Sequence, residues 1–236
     1  MSFLTYPDLS EGGPENMATD WWLFEKAASE ATPKFRAYSW ASEEISFGYG
    51  QKWEWVEEVT GASIQNLVRR PTGGGIVKHG KDWTYCLVLP CGHGSFAIPS
   101  LSLYELIHQA IGAALANQSV PTVLQPCPAS KTKGIPGDCF DEPVGKDLMS
   151  QDGKLKLAGA AMKRSRQAVL VQGTIDLRPI ANFDPKRYKK DFVWALSEMV
   201  EEKAEAVEWP ENFLSERNPF VEEFASLEWR RDRKRI

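Results

Sequence analysis

The chain has 236 residues, of which 42% are hydrophobic and 25% are charged, and its formal net charge is -4 at pH 7. These values are ordinary for a soluble globular protein with one sizeable core or at most two small domains. A duplex-binding protein normally presents a basic face, so nucleic acid is not expected as the principal partner. No run approaches the roughly 18 uninterrupted apolar residues of a membrane span, so none is predicted.

The N-terminus and the cysteines indicate in which cellular compartment the protein is expected. The first 13 residues lack the basic and apolar regions of a secretory signal. The four cysteines, Cys86, Cys91, Cys127 and Cys139, are too few and too irregularly spaced for a disulfide framework. We therefore expect a reducing, cytoplasmic setting in which a free thiolate can be functional. Cys86 and Cys91 are expected to pack, since Cys86 lies within an apolar strand.

Apolar periodicity and turn residues predict the elements of the first half of the chain. Pro14 suits the first turn of a helix, and Met17 and Trp21 recur behind it at helical spacing. Three successive glycines at 73–75 are unfavourable inside a regular element and predict a loop. In chain order we predict a helix over 14–30, a hairpin of strands over 35–40 and 45–49, a helix over 52–59, a strand over 64–70, the loop 71–75, and paired strands over 76–78 and 84–89.

The second half of the chain has equally clear patterns. Ser100 or Ser102 is expected to cap a strongly periodic helix, and Asp152-Gly153 predicts a turn. The predicted elements are a helix over 100–117, a strand over 120–124, a loop over 126–143, strands over 147–150, 155–163 and 167–177, and a helix over 185–205, followed by a short helix and a solvated basic tail.

These elements predict an α/β fold of the α+β type, with a mixed, mainly antiparallel sheet flanked by helices. Residues 1–182 are expected to form the catalytic domain. Residues 183–236 are expected to add a C-terminal helical extension and a basic tail to the same domain.

Four segments are candidates for chemistry: 69–80 (RRPTGGGIVKHG), 83–90 (WTYCLVLP), 138–143 (DCFDEP) and 153–161 (GKLKLAGAA). The three glycines allow a ligand to approach the backbone closely, so that their amides face a carboxylate, a thioester oxygen or a phosphate. Arg69 and Arg70 precede them, and an arginine fork suits anionic oxygens. A plain turn is the alternative for the glycine triplet alone.

Together, these segments resemble the lipoate-protein ligase and octanoyltransferase family. Residues 69–79 are similar to its R-R-x-[ST]-G-G-[GR]-x-V-x-H pattern, and residues 153–161 to G-x-K-[LIV]-x-G-[SA]-A with one extra residue before the lysine. Residues 16–20 (NMATD) and 46–51 (SFGYGQ) also match family patterns, in the same order along the chain. The resemblance implies a lipoate/biotin ligase-like catalytic domain with a narrow acyl tunnel against the sheet.

The resemblance also implies roles for individual residues. Lys156 would bind the acyl carbonyl or carboxyl and place an ammonium opposite a developing oxyanion, the alternative being a solvated strand lysine. Lys156 and the glycine loop should converge on one acyl head group. His79 should orient that loop, the alternative being that it acts as a base. The predicted acyl- or substrate-binding residues are Arg70, Gly73, Gly74, Gly75, His79, Gly159 and Ala160.

Cys139 decides between two reaction types. Ligases of the family activate a free acid with ATP, whereas one octanoyltransferase branch forms an acyl-cysteine on a C-F-x-x-P loop, which residues 139–143 (CFDEP) resemble. A Cys139 thiolate would attack an acyl thioester, and an acceptor lysine would then attack the new thioester. A nearby Lys156 ammonium would favour the thiolate. The alternative is that Cys139 is a small packed residue.

Two glycines depart from the family pattern. Gly80 stands where the family often has Asp after the histidine. Gly75 is the ligase-like choice, since the cysteine-dependent transferases often have arginine there. The glycine loop therefore favours a ligase, and the Cys139 loop favours a transferase. Ligases commonly carry a further C-terminal domain, for which residues 178–236 leave little room.

Three functions follow from these patterns. The first is an acyltransferase that moves an octanoyl or lipoyl group, with an acyl-carrier protein as donor, to the lysine of a lipoyl-domain protein through acyl-Cys139, without a cofactor. The second is an ATP-dependent lipoate-protein ligase that binds Mg-ATP and lipoate, and the third is a non-catalytic acyl-binding homologue. Biotin ligase is more distant, because the G-R-G-R-x-G loop is missing. Cys91-Gly92-His93 lacks two further ligands, so no metal site is predicted.

Overall fold

The computed structural model describes residues 2–127 and 137–234. The strands are β1 (Ser2–Thr5), β2 (Leu9–Glu11), β3 (Lys34–Trp40), β4 (Ile45–Phe47), β5 (Leu67–Arg69), β6 (Val77–Lys78), β7 (Asp82–Pro90), β8 (Thr122–Leu124), β9 (Leu148–Ser150), β10 (Lys156–Arg164), β11 (Ala168–Asp176) and β12 (Lys203–Ala206). The helices are α1 (Gly13–Lys26), α2 (Trp53–Thr60), α3 (Ser100–Ala116), α4 (Pro185–Val200) and α5 (Phe213–Ala225), and a π-helical turn covers Glu228–Asp232.

The described strands form a large sheet and a small sheet. The large sheet has the order β12-β1-β3-β7-β11-β10-β9-β8, and β2 pairs with β3 beside this path. Pairings from β3 to β8 are antiparallel, whereas β1 is parallel to both β12 and β3. The small sheet has the order β5-β4-β6. The predicted α/β fold with a mixed, mainly antiparallel sheet is confirmed.

Helices cover both faces of the large sheet, so its central strands are buried on both sides. Along β7, Tyr85 and Leu87 belong to the core formed with α3 and α4, whereas Cys86 and Val88 belong to the core formed with α1 and α5. This alternation follows from the two-residue period of a strand. A smaller core between α2 and the small sheet supports the loop 71–75.

Local sequence explains where the helices begin and end. The Asp184 carboxylate accepts from the N–H groups of Lys186 (3.0 Å) and Arg187 (3.1 Å) and so caps α4. Gly61 ends α2 with φ +69°, in the left-handed region. The predicted serine cap of α3 is wrong, because Pro99 occupies the N-cap position and no side chain caps the helix.

Two predicted strand pairings are wrong. The segment at 45–47 does not form a hairpin with β3, because β4 pairs with β5 and β6 in the small sheet. The segments at 77–78 and 82–90 do not pair with each other either, since β6 joins the small sheet and β7 the large one. The chain passes between the sheets at Gly80, whose φ of +111° suits glycine.

The region after residue 182 also differs from the prediction. The helix predicted over 185–205 ends at Val200, and β12 then pairs in parallel with β1 at the edge of the large sheet. The basic run is not wholly solvated, because Arg230 is buried and its Nη1 donates to the carbonyl of Gln65 at 2.6 Å. Trp229 Nε1 donates to the carbonyl of Arg69 at 2.9 Å. The C-terminal segment therefore packs against the small sheet.

The burial of His108 on α3 makes the stability of the fold depend on pH. It is fully buried, and burial lowers its pKa from 6.5 to about 4. The unfolded chain takes up this proton below about pH 6.5 and the folded chain only below about pH 4, so stability is lost as pH falls through that window. We expect wild type to lose about 2 kcal/mol more unfolding free energy than His108→Phe between pH 7 and pH 5. Urea denaturation at both pH values measures this, and equal losses would contradict it.

Candidate active site

The segment that carries Cys139 is held against the glycine loop by backbone hydrogen bonds. Ile76 N–H donates to the carbonyl of Gly137 at 2.8 Å, and Cys139 N–H donates to the carbonyl of Ile76 at 2.9 Å. Together they form a parallel β-bridge between Ile76 and Asp138. This bridge fixes the backbone of Cys139 beside the end of the glycine loop. Residues 128–136 of the predicted loop lie outside the described residues.

Gly75 makes this close approach possible. A Cβ atom at position 75 would lie 2.7 Å from the Gly137 carbonyl oxygen and 3.0 Å from the Cys139 nitrogen. A Cβ atom at Gly73 would meet no atom within 4 Å. Position 75 therefore needs glycine because the Cys139 segment lies directly on it.

Arg70 supports the glycine loop from within. Its Nη2 donates to the carbonyls of Gly73 (3.0 Å) and Gly75 (2.6 Å), and its Nη1 donates to Ser46 Oγ (2.7 Å). Burial lowers the pKa of Arg70, and the charge of nearby Cys139 opposes this shift. A buried guanidinium group therefore lies within electrostatic range of the thiol.

His79 belongs to a buried hydrogen-bonded chain. Its Nδ1 lies 2.6 Å from Asp82 Oδ2, and its Nε2 lies 2.7 Å from Ser46 Oγ. Burial lowers the pKa of His79, so the imidazole is neutral. Burial acts to raise the pKa of Asp82, but hydrogen bonds, the largest from His79, hold it below its usual range. Because an ionised carboxylate only accepts, Nδ1 carries the proton and Nε2 accepts from Ser46.

Lys156 lies beside Cys139. Its Nζ is 3.5 Å from Cys139 Sγ and 2.7 Å from Asp147 Oδ2. A Cβ atom at Gly159 would lie 2.7 Å from this Nζ, so the glycine leaves room for the lysine side chain. The side chain of Lys156 is 4% exposed, which excludes the alternative of a solvated strand lysine.

Two polar residues behind Lys156 were not among the predicted site residues. Asp147 is fully buried and accepts from the Tyr104 hydroxyl and from Val144 N–H (2.6 Å). The Tyr104 oxygen accepts from Ala160 N–H at 3.2 Å. Burial and the charge of Asp147 raise the pKa of Tyr104 well above its usual value, so its hydroxyl stays protonated. Neither residue belongs to one of the family patterns. The one feature of the sequence that could have indicated Asp147 is a charged residue next to an apolar strand.

A cavity of about 40 Å³ lies between the glycine loop and β10. Among the predicted site residues, those that line it are Arg70, Gly74, His79, Cys139, Gly159 and Ala160. Gly73, Gly75 and Lys156 do not line it, and Lys156 instead borders a neighbouring cavity of about 450 Å³. The glycine loop and Lys156 therefore both reach Cys139, but from different sides.

A second buried network, also missed in the sequence, fixes the first residues of the loop 71–75. Thr72 Oγ1 donates to Gln172 Oε1, and Gln172 Nε2 donates to Asp20 Oδ2, each at 2.7 Å. The Arg36 guanidinium pairs with Asp20 at 2.7 Å with both side chains fully buried. The bonds connect the loop through β11 to α1. Breaking a buried pair of this kind is strongly destabilising.

The structure also bears on the other cysteines, on metal binding and on membrane-spanning helices. Cys86 is buried as predicted, whereas Cys91 is exposed just beyond the end of β7, so the prediction that it packs is wrong. Across the described ranges, no group of three or more His, Cys, Asp or Glu side chains is arranged to hold a metal ion. Within the same residues, no helix is long and apolar enough to cross a membrane.

Solved structures share this fold. The crystal structure of lipoate-protein ligase A bound with ATP has a TM-score of 0.74 and 17% identity, with coverage of 97% of this chain and 98% of that chain. The putative lipoate protein ligase Ta0514 from T. acidophilum with bound lipoic acid has a TM-score of 0.73 and 17% identity, with the same coverage. The fold is therefore that of the lipoate-protein ligases.

Sequence comparison identifies the family. The model of the lipoyl protein ligase A/B catalytic domain matches residues 13–210, and the chain belongs to this family. It is 30% identical to the octanoyltransferase LipM of Carboxydothermus hydrogenoformans, over 72% of this chain and 62% of the relative. It is 31% identical to LipM of Symbiobacterium thermophilum, over 69% and 61% respectively. The chain thus spans about three fifths of the length of these relatives.

Gly75→Ala and Gly73→Ala form a matched pair of variants. The Cβ atom at position 75 should push the Cys139 segment away, because it would meet backbone at 2.7 Å, at a cost of about 1–3 kcal/mol. The same atom at position 73 meets open space. We expect a lower melting temperature and faster hydrogen exchange of the Ile76 and Cys139 amides in Gly75→Ala only. Equal behaviour of the two variants would contradict the close contact.

Proposed function

We propose that this chain is an acyltransferase that transfers an octanoyl or lipoyl group to the acceptor lysine of a lipoyl-domain protein through an acyl-Cys139 intermediate. The observation that carries the proposal is the distance of 3.5 Å between Cys139 Sγ and Lys156 Nζ, where Cys139 lines the cavity beside the glycine loop. Family membership and the similarity to LipM octanoyltransferases support this acyl chemistry.

Two cationic side chains lie near Cys139, whose nucleophilic form is the thiolate. Lys156 supplies an ammonium at 3.5 Å, and the Arg70 guanidinium lies on the side of the glycine loop. The hydrogen-bond acceptors of Arg70 in the described chain are neutral oxygens, so its charge is not cancelled by a carboxylate. Two cations therefore act on one sulfur.

The reaction has two steps: the Cys139 thiolate is the nucleophile in the first and the leaving group in the second. The Cys139 thiolate attacks the carbonyl carbon of an acyl thioester, and the Lys156 ammonium stabilises the oxyanion that develops. The C–S bond of the donor breaks, its thiolate leaves, and an acyl-Cys139 thioester remains. The neutral amine of the acceptor lysine then attacks this thioester, loses a proton, and releases the Cys139 thiolate.

In this proposal the acyl chain enters the cavity lined by Cys139. Apolar and aromatic side chains form part of its wall, and Gly159 and Ala160 leave space next to β10. Gly74 lies at the same cavity, so its backbone can approach the acyl head group closely. His79 and Arg70 would hold the loop in this position, and Gly73 and Gly75 would act through its backbone shape.

The partners in this proposal are two proteins. The donor is an acyl-carrier protein, and the acceptor is a lipoyl-domain protein. A structure with a similar fold is described as a bi-partite lipoate protein ligase and its E2 lipoyl domain from Thermoplasma acidophilum. A nucleophile with a free thiol fits a reducing, cytoplasmic compartment, and the transferase reaction needs no cofactor.

The ligase alternative rested on Gly75, the ligase-like residue of the glycine loop. The contact with Gly137 and Cys139 gives this glycine a different physical reason, one tied to the cysteine segment. The transferase is therefore the better supported function. Pyrophosphate exchange with lipoate and Mg-ATP, with any accessory protein supplied, would favour the ligase instead.

Intact-protein mass spectrometry tests the intermediate. After incubation with an octanoyl-carrier protein, wild type should gain the mass of one octanoyl group, and Cys139→Ala should gain none, because the attacking thiol is absent. Cys127→Ala removes a different exposed cysteine and should behave like wild type. Full transfer by Cys139→Ala to a lipoyl domain would contradict covalent catalysis. Transfer by no form, despite binding of an octanoyl ligand, would favour the non-catalytic homologue.

A further inference from the structure

A chain of buried contacts leads from α3 to the reacting thiol. The Tyr104 hydroxyl donates to Asp147 Oδ1, Lys156 Nζ lies 2.7 Å from Asp147 Oδ2, and the same Nζ lies 3.5 Å from Cys139 Sγ. Asp147 is fully buried, and Lys156 is 6% exposed. We propose that Asp147 and Tyr104 are positioning residues, which hold the Lys156 ammonium against Cys139. This inference rests on the proposed acyl-Cys139 chemistry.

Asp147 fixes the charge of Lys156. A buried ammonium without an anion loses its proton readily, because low dielectric disfavours the charged form. Asp147 supplies that anion at 2.7 Å, so the ammonium that faces Cys139 is held in a buried ion pair.

Tyr104 fixes the position of Asp147. Its oxygen accepts from Ala160 N–H on β10 at 3.2 Å, while its hydroxyl hydrogen is donated to Asp147. The ring lies 4.2 Å from that of His108, which donates from Nδ1 to the Tyr104 carbonyl at 2.8 Å. A helix residue thus connects the carboxylate to the strand that carries Lys156.

The strand itself directs the lysine inward. The register between β9 and β10 shifts between Lys156 and Ala158, and such an irregularity changes the direction of neighbouring side chains. Gly159 leaves the space that the lysine then occupies. The ammonium is therefore held on one side by backbone shape and on the other by a carboxylate that Tyr104 orients.

Two conservative variants test the proposal. Tyr104→Phe removes only the hydroxyl, and Asp147→Asn removes the charge and replaces one accepting oxygen by a donating NH2 group. Tyr188→Phe is the matched control, because Tyr188 is also fully buried but its hydroxyl has no hydrogen-bond partner in the described parts of the chain. The rate at which iodoacetamide alkylates Cys139 is measured against pH, in a background that carries Cys91→Ala and Cys127→Ala, because both of these cysteines are exposed. This readout needs no acyl substrate, so it is independent of the proposed function.

At neutral pH we expect Cys139 to be alkylated on the order of tenfold more slowly in both positioning variants than in the control, because each loses the effect of about one charge-assisted hydrogen bond. The curve of alkylation rate against pH should also move to higher pH in both variants. The titratable and charged groups near this pair are Asp147, Tyr104, His108 and Arg70, and the cavity that Lys156 borders adds Asp141, Lys154, Asp176 and Arg178. In octanoyl transfer, kcat should fall and the KM for the donor should stay constant. Alkylation at the rate of Tyr188→Phe would overturn the proposal.

The same experiment separates the two proposals. Slow alkylation in the variants, with no acyl adduct even in wild type, would reject the acyl-Cys139 function and keep the positioning role. If Asp147→Asn does not fold, Tyr104→Phe alone decides, because it leaves the charge pair of Asp147 and Lys156 intact.

Discussion

The two backbone hydrogen bonds of Ile76 set the geometry on which the rest of the site depends. They attach the segment with Cys139 to the glycine loop, although the two lie more than sixty positions apart in the sequence. Backbone bonds fix the position of a residue independently of its side chain. The Cys139 side chain is then free to face both the cavity and Lys156. Gly75 permits the attachment because nothing projects from it into the Cys139 segment.

Charge is distributed unevenly around the thiol. The cations Lys156 and Arg70 both lie near the thiol, but they are compensated differently. Asp147 balances Lys156, whereas the described acceptors of Arg70 are carbonyl and hydroxyl oxygens. A buried cation held only by neutral oxygens leaves a positive potential in the neighbouring space. In the proposed reaction, that potential would stabilise the oxyanion of the tetrahedral intermediate.

Much of the fold followed from local patterns, but the partners of the strands did not. Helical periodicity placed α1, α2 and α3 within a few residues of their observed bounds. Alternation identified β4 as a strand but could not say that it belongs to a separate sheet, because pairing depends on distant residues. The burial of Arg230 was missed for a similar reason. Its acceptors are carbonyls of a segment far away in the sequence, and a basic run alone predicts solvent exposure.

The residues of the candidate site were also predicted only in part. Family patterns named Cys139, Lys156 and the glycine loop, since these residues lie in short segments with fixed spacing. Asp147 and Tyr104 stand outside those patterns, and only the packing of α3 on the sheet brings them together. Gly80 illustrates the limit of matching by position. The carboxylate that the pattern places after the histidine comes here from Asp82, which binds His79 at 2.6 Å while Gly80 N–H donates to its other oxygen at 3.0 Å. Both departures from the family pattern, Gly75 and Gly80, are thus matched by contacts that keep the loop in place, which is the arrangement that a working site requires.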